Sequence, residues 1–114
     1  MAIQEQMRKG TNTVIVLNLL AEAGRPMYGY EIIQALEARS QGTFRFREGL
    51  IYPRLHEMEQ EGLLRSEWQG EEGERRRKFY AITAEGQKRL EVELADWHSL
   101  AAAVNRLLGA EGLA

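Results

Sequence analysis

Residues 49–83 read GLIYPRLHEMEQEGLLRSEWQGEEGERRRKFYAIT, and this stretch decides the fold. In its first part, Leu50, Leu55 and Met58 recur at a spacing that puts apolar side chains on one face of a helix. Gly62 follows, and glycine supplies the left-handed residue that commonly ends a helix. The pattern therefore predicts a short amphipathic helix that begins near residue 49 and stops at Gly62.

The second part of the stretch has the pattern of a β-hairpin. Residues 64–69 and 77–82 alternate roughly between apolar and polar side chains, and residues 70–76 between them are charged and contain two glycines. Such a pattern is typical of two strands joined by a longer loop. Four consecutive cations, Arg75 to Lys78, lie at the start of the second strand. A helix followed by a hairpin with a basic edge is the layout of a recognition helix and a wing.

Two further helices are expected before this stretch. Residues 13–20 are apolar almost all round, which fits a buried helix or a buried strand. Helix is favoured because good helix formers continue the run until Gly24. Residues 27–40 place apolar side chains on one face and are predicted to form the second helix. The start of the chain, residues 1–10, is polar and is expected to fray.

The C-terminal segment is predicted to form one long helix from Ala84 to Leu108, with Thr83 as its cap. A helix of about 25 residues is roughly 37 Å long, which exceeds what so small a domain can cover. Its apolar residues recur in heptad steps and predict association with an identical chain. The seam residues are Leu90, Leu94, Trp97, Ala101, Val104 and Leu108.

Composition limits the class of protein. The chain has 114 residues, enough for one compact domain, and no cysteine, so it has no disulfide framework and no thiolate metal site. Residues 13–20 are too short to span a bilayer, and a cytoplasmic location is expected. The net charge of −2 does not favour a nucleic-acid binder, but the position of the charges matters more than their sum. The basic run predicts a local patch with salt-dependent affinity for DNA.

Several short motifs, taken together and in order, resemble the PadR family of transcriptional regulators, in its short form with a single C-terminal helix. They are Gly29-Tyr30-Glu31-Ile32, Leu50-Ile51-Tyr52-Pro53-Arg54-Leu55, Glu59-Gln60-Glu61-Gly62-Leu63-Leu64 with Trp68, and Arg75 to Gly86. The resemblance spans roughly residues 7–108. It implies a mainly α fold with a small β-hairpin, in which residues 1–83 form a winged helix-turn-helix DNA-binding domain and residues 84–114 a dimerisation helix with a short tail. It also implies a homodimer that binds a double-stranded DNA operator, as a repressor released by a small-molecule effector.

Candidate DNA-contacting residues lie on the wing and the recognition helix. Arginine suits phosphate because its planar fork donates two hydrogen bonds, although charged hairpin tips are also common as solvated loops. Arg54 is predicted to donate to guanine. Tyr52 is either a core residue or a phosphate contact, and His56 is expected to be an ordinary exposed residue. The predicted DNA-binding set is Tyr52, Arg54, Arg75, Arg76, Arg77 and Lys78.

Trp97 has two interpretations. A tryptophan in a heptad is more often packed at a helix interface than used as a ligand platform. By its register from Gly86, however, Trp97 matches a position that stacks planar drugs at the dimer centre of some regulators in the resembling family. The resemblance therefore implies a planar aromatic effector as one possible partner of Trp97.

Other classes of protein are disfavoured. The two histidines lie on different predicted helices, and the sequence contains no nucleophile motif, metal-ligand spacing or phosphate-cradling glycine loop. We therefore expect no enzyme, no metal and no cofactor. Two alternatives stay open beside the DNA-binding interpretation. One is a winged helix that serves only protein–protein contact, and the other is a regulator without a small-molecule ligand.

Overall fold

The structure is a computed structural model that describes residues 9–71 and 75–110. The predicted fraying of residues 1–10 falls mostly outside this range, as do the tip of the hairpin loop and the last four residues. Within the described residues the chain forms four helices and one small sheet. Their order is α1 Lys9–Ala23, β1 Met27–Tyr28, α2 Gly29–Arg39, α3 Glu48–Gln60, β2 Leu64–Gln69, β3 Arg77–Ile82 and α4 Ala84–Leu108.

The helix α1 forms the centre of the core. Val16, Leu17 and Leu20 are buried almost completely, and α1 packs against α2, α3, α4 and β3. A helix that contacts neighbours on every side must be apolar on every side. This explains why residues 13–20 show no amphipathic period in the sequence, and it confirms that they form a helix rather than a strand.

The sheet has three antiparallel strands in the order β1-β3-β2, one more than the predicted hairpin. The prediction that residues 27–28 begin the second helix is therefore wrong. Met27 pairs with Tyr80 and Tyr28 with Phe79, and α2 begins only at Gly29. Two residues are too few to show the alternation of a strand, and their hydrogen-bonding partner lies about fifty residues further along the chain. No local sequence pattern could have predicted this pairing.

The junction between α3 and α4 is formed by a few short contacts. Gly62 has a φ of 81°, the left-handed conformation expected after a helix. The Thr83 side chain accepts a hydrogen bond from the Gly86 backbone N–H at 3.0 Å, which caps α4 as predicted. The same hydroxyl donates to the Gly62 carbonyl oxygen at 2.6 Å. One side chain thus joins the end of α3 to the start of α4.

The helix α4 changes character along its length. Leu90 is only 6 % exposed because it packs into the core of its own chain, and Leu94 is half-buried against the same core. The prediction that Leu90 buries against a partner chain is therefore wrong. Further along, Leu107 is 84 % exposed, and Trp97, Leu100, Val104 and Leu108 also present apolar surface. The apolar seam is thus shared between the core of the chain at one end and open surface at the other.

No helix in residues 9–71 and 75–110 is long and apolar enough to cross a membrane.

Candidate nucleic-acid interface

The helix α3 turns one face inward and the other outward. The inward face carries Ile51, Arg54, Leu55 and Met58. The outward residues follow one another at steps of three and four, so they form a single strip along the helix. That strip consists of Gly49, Tyr52, Pro53, His56 and Gln60.

Arg54 lies inside the domain, so the prediction that it reads guanine is wrong. Its side chain is only 5 % exposed, and its guanidinium donates two hydrogen bonds to the Thr13 hydroxyl, at 2.6 and 3.2 Å. It also donates to the carboxylates of Glu57 at 3.2 Å and Glu61 at 3.4 Å. A buried guanidinium requires such partners, because desolvation without them is costly. Arg54 therefore fastens α3 to α1.

The spacing of the sequence contained a signal for this placement. Residues 51, 54, 55 and 58 follow the three- and four-residue steps of one helix face, and three of them are apolar. Choosing Leu50 instead of Ile51 as the first core residue turned Arg54 outward in the prediction. With the corrected face, His56 and Gln60 become the outward polar side chains that the prediction had ranked below Arg54.

A concave surface opens beside this strip, between α2, α3 and the wing formed by β2 and β3. Its volume is about 520 Å³. The residues that line it are four tyrosines, two arginines, one glycine and one glutamate. They are Tyr28, Gly29, Tyr30, Glu48, Tyr52, Arg75, Arg77 and Tyr80, and we call this surface the tyrosine–arginine concavity.

Tyr52 stands at the centre of the concavity. Its side chain is 38 % exposed, so it is neither fully core nor fully free, which combines the two alternatives left open by the sequence. Burial raises the pKa of the Tyr52 phenol, and the carboxylate of Glu48 adds to this effect. The phenol is therefore neutral at ordinary pH and keeps its proton as a hydrogen-bond donor.

The basic run divides into two parts. Arg75, Arg76 and Arg77 are exposed, and the guanidinium of Arg77 lies 4.7 Å from the centre of the Tyr28 ring, within cation–π range. Lys78 instead forms an ion pair with Glu59 at 3.0 Å. Glu59 also accepts a hydrogen bond from Ser66, so it joins α3 to both strands of the wing. Lys78 therefore belongs to the internal bonding of the wing rather than to its DNA-facing edge, which corrects the prediction.

The Glu59 cluster perturbs the ionisation of its members. The hydrogen bond from Ser66, followed by that from Lys78, lowers the pKa of the Glu59 carboxyl group. The hydrogen bond to Glu59 in turn raises the pKa of the Lys78 ammonium. Both shifts favour the charged pair, so the clamp between wing and helix is intact at neutral pH.

Trp97 lies on the other side of the molecule, at an apolar groove between α1 and α4. The groove has a volume of about 320 Å³, and Trp97 itself is 53 % exposed. Phe44, from the turn before α3, forms part of its wall. The complete lining is Thr11, Val14, Ile15, Asn18, Phe44, Leu94 and Trp97.

A family model described as the transcriptional regulator PadR-like family matches residues 16–92, more than half of the chain. The chain belongs to the PadR-like family. The matched segment contains the whole of α3, the sheet and the tyrosine–arginine concavity. The resemblance seen in the sequence motifs and the winged helix fold are thereby confirmed, and this PadR-like chain is a transcriptional regulator rather than an enzyme.

Solved structures of the same kind resemble this PadR-like chain over nearly its whole length. A PadR family transcriptional regulator from Eggerthella lenta is 34 % identical with a TM-score of 0.78, over 93 % of this chain and 88 % of that one. A PadR-like transcriptional regulator from Bacillus cereus is 31 % identical with a TM-score of 0.74, over 90 % and 96 %. An uncharacterized protein from Lysinibacillus sphaericus is 26 % identical over 83 % of this chain and 85 % of its own length.

Within the part of the chain that the structure describes, no group of three or more histidine or acidic side chains is arranged to hold a metal ion.

Proposed function

We propose that this PadR-like chain acts as a homodimer that binds a double-stranded DNA operator and represses transcription. The outward strip of α3 enters the major groove, and the tyrosine–arginine concavity lies over the adjacent phosphate backbone. The observation that carries this proposal is the alignment of the strip with Tyr52, Arg75 and Arg77 beside it. Repression, rather than activation, is the mode implied by the family resemblance.

The charges support this placement even though the chain as a whole is acidic. Three arginines are exposed at the wing, while the buried Arg54 and the paired Lys78 contribute little to the outer surface. Arginine donates two parallel hydrogen bonds to a phosphate group, which makes it the suitable side chain for this contact. Binding that depends on a few such contacts falls steeply as salt displaces it.

Dimerisation is proposed through the outer part of α4. Trp97, Leu100, Val104, Leu107 and Leu108 are exposed large apolar side chains on one helix, and such a surface needs a partner. Ala101 lies between them and is half-buried. In a two-fold dimer the recognition helices would reach half-sites about one helical turn, or roughly 34 Å, apart. In this scheme residues 1–83 bind DNA and residues 84–114 dimerise, except that Leu90 and Leu94 serve the core of their own chain.

An effector site at Trp97 is a second element of the proposal. The apolar groove of about 320 Å³ beside the ring favours a planar aromatic compound. Release of DNA requires that this compound bind the free and DNA-bound arrangements with different affinity. Regulation without any small molecule is the alternative, and the groove then serves only helix packing. The cytoplasmic location expected from the sequence stays a prediction.

One experiment tests the core of the proposal. Purified protein is incubated with fragmented genomic DNA, bound fragments are sequenced, and affinity for the recovered duplex is measured by fluorescence anisotropy at several salt concentrations. We expect nearly palindromic sites and a steep loss of affinity with salt. Selection of no common sequence, together with no binding in dilute buffer, would contradict DNA regulation.

The oligomeric state is tested by light scattering. Leu107→Asp should yield monomers, because it places a charge in the proposed dimer surface without touching the core of the chain. Lys88→Asp, an exposed change on the same helix, serves as the control. If the Leu107 variant still forms dimers at micromolar concentration, the dimer surface lies elsewhere. Leu94→Asp is unsuitable, because Leu94 also supports the core.

A further inference from the structure

The ring of Tyr52 lies directly against the backbone of Gly29. A Cβ atom at Gly29 would lie 2.2 Å from Cε1 of that ring, 2.9 Å from Cδ1 and 3.2 Å from Cζ. Contacts this short do not occur between real atoms, so no side chain fits at Gly29 while Tyr52 keeps its position. The first residue of α2 is thus the floor on which a residue of α3 rests.

Backbone conformation does not explain why glycine stands at this position. Gly29 is not among the residues with positive φ, so any residue could adopt its backbone angles. Glycine is also a poorer helix former than alanine. The close approach of Tyr52 is the structural feature that requires the absence of a side chain.

The position of the Tyr52 ring places its hydroxyl in the tyrosine–arginine concavity. Arg75, Tyr30 and Tyr80 are close enough to this hydroxyl to influence its ionisation, and all of them line the same surface. A shift of the ring away from Gly29 would move the hydroxyl relative to the guanidinium groups of Arg75 and Arg77. The three donors could then no longer converge on one phosphate.

We infer that Gly29 is a positioning residue for DNA binding, because its missing side chain seats Tyr52 at the depth where the phenol and the wing arginines contact the same phosphate. The inference rests on the proposed DNA-binding function. It assigns no direct DNA contact to the Cα of Gly29. Its effect on affinity passes entirely through Tyr52.

Four variants test this inference: Gly29→Ala, Tyr52→Phe, Tyr52→Ala and the double variant Gly29→Ala/Tyr52→Ala. Affinity is measured by fluorescence anisotropy on a labelled duplex recovered from the genomic selection. We expect Tyr52→Phe and Gly29→Ala each to weaken binding by roughly tenfold, the loss expected when one hydrogen bond to a charged group is removed. In the Tyr52→Ala background, adding Gly29→Ala should change the affinity no further.

Two readouts separate positioning from a general effect on folding. The thermal midpoint of Gly29→Ala should equal or exceed that of the wild type, because the partly exposed ring can swing into solvent and alanine favours the helix. In ring-labelled tyrosine NMR spectra, the Tyr52 resonance alone should move and its pKa should fall toward the ordinary value, because burial is its largest perturbation.

The outcomes distinguish the inference from the proposed function. If Tyr52→Phe and Tyr52→Ala bind DNA like the wild type, the role of Tyr52 in the proposed interface fails and the inference fails with it. If they weaken binding but Gly29→Ala does not, or if Gly29→Ala weakens binding equally in the Tyr52→Ala background, only the positioning role is overturned. Should Gly29→Ala not fold, wild-type NMR decides: contacts between the Gly29 Hα protons and the Tyr52 ring support the inference, and their absence overturns it.

Discussion

Arg54 in α3 and Arg75 to Arg77 in the wing carry the same guanidinium group in opposite surroundings. Arg54 is buried and bonded to Thr13, Glu57 and Glu61, whereas the wing arginines are exposed beside the concavity. The difference follows from the side chains around them: Arg54 occupies one step of an apolar helix face, and the wing arginines lie in a polar loop and strand end. A cation in a DNA-binding motif is therefore structural or functional according to its register.

The largest expected effect concerns the buried member of this comparison. Arg54→Met should lower the free energy of unfolding by about 2–3 kcal/mol, because the buried Thr13 hydroxyl loses two hydrogen bonds and two carboxylates lose their partner. Urea denaturation at fixed protein concentration measures the change. Arg77→Ala, an exposed arginine, is the matched control and should shift stability by no more than about 0.5 kcal/mol. Equal effects of both variants would erase the distinction.

The exposed member should show the reverse profile. Arg75→Ala/Arg77→Ala should leave stability nearly unchanged but weaken DNA binding by roughly 10- to 30-fold, and it should reduce the salt slope by about 1.8, the value for two phosphate contacts. Anisotropy titrations at several salt concentrations give both numbers. The control Lys88→Ala/Arg106→Ala removes the same charge from α4. An unaltered slope in the wing variant would mean that these arginines are solvated rather than bound to phosphate.

A smaller effect concerns the carboxylate that ties the wing to α3. Glu59→Gln should destabilise the fold by about 0.5–1 kcal/mol at neutral pH, because Glu59 accepts from Ser66 and pairs with Lys78. The folded-state pKa of Glu59 is lowered, so its contribution is complete above the unfolded pKa of about 4.3 and is lost as pH falls below it. The stability difference between wild type and variant should therefore shrink in acid. A difference independent of pH would exclude ionisation as its cause.

The smallest expected effect is a gain. Glu48 lines the tyrosine–arginine concavity, where its negative charge opposes an approaching phosphate. Glu48→Gln should therefore strengthen DNA binding by roughly two- to threefold in dilute buffer, and less as salt screens the charge. Glu85→Gln, an exposed carboxylate at the start of α4, is the matched control. Weaker binding by the Glu48 variant would indicate that this carboxylate accepts a hydrogen bond at the interface.

Local signals in the sequence predicted much of this fold. The bounds of α4, its cap at Thr83 and the left-handed Gly62 depend on residues close in sequence, and all three are confirmed. The strand β1 was missed because its two residues find their partner only through the fold. Leu90 was assigned to a partner chain because a heptad pattern records which residues are apolar and not which surface covers them.

The candidate site was less predictable for a related reason. The exposed wing arginines follow from composition alone, but the roles of Arg54 and Lys78 depend on partners in other elements, Thr13 in α1 and Glu59 in α3. The seat of Tyr52 on Gly29 joins two helices that are separated by a turn. Each of these contacts is a tertiary property, and a pattern confined to one element cannot contain it.

The hydroxyl of Thr83, which joins Gly62 to Gly86, makes the long C-terminal helix a lever with its pivot beside the recognition helix. For a rod of about 37 Å, a tilt of roughly 5° at the pivot displaces the far end by about 3 Å. In the proposed dimer, the distance between the two DNA-reading helices would thus respond, through this geometric gain, to one threonine and its two backbone partners.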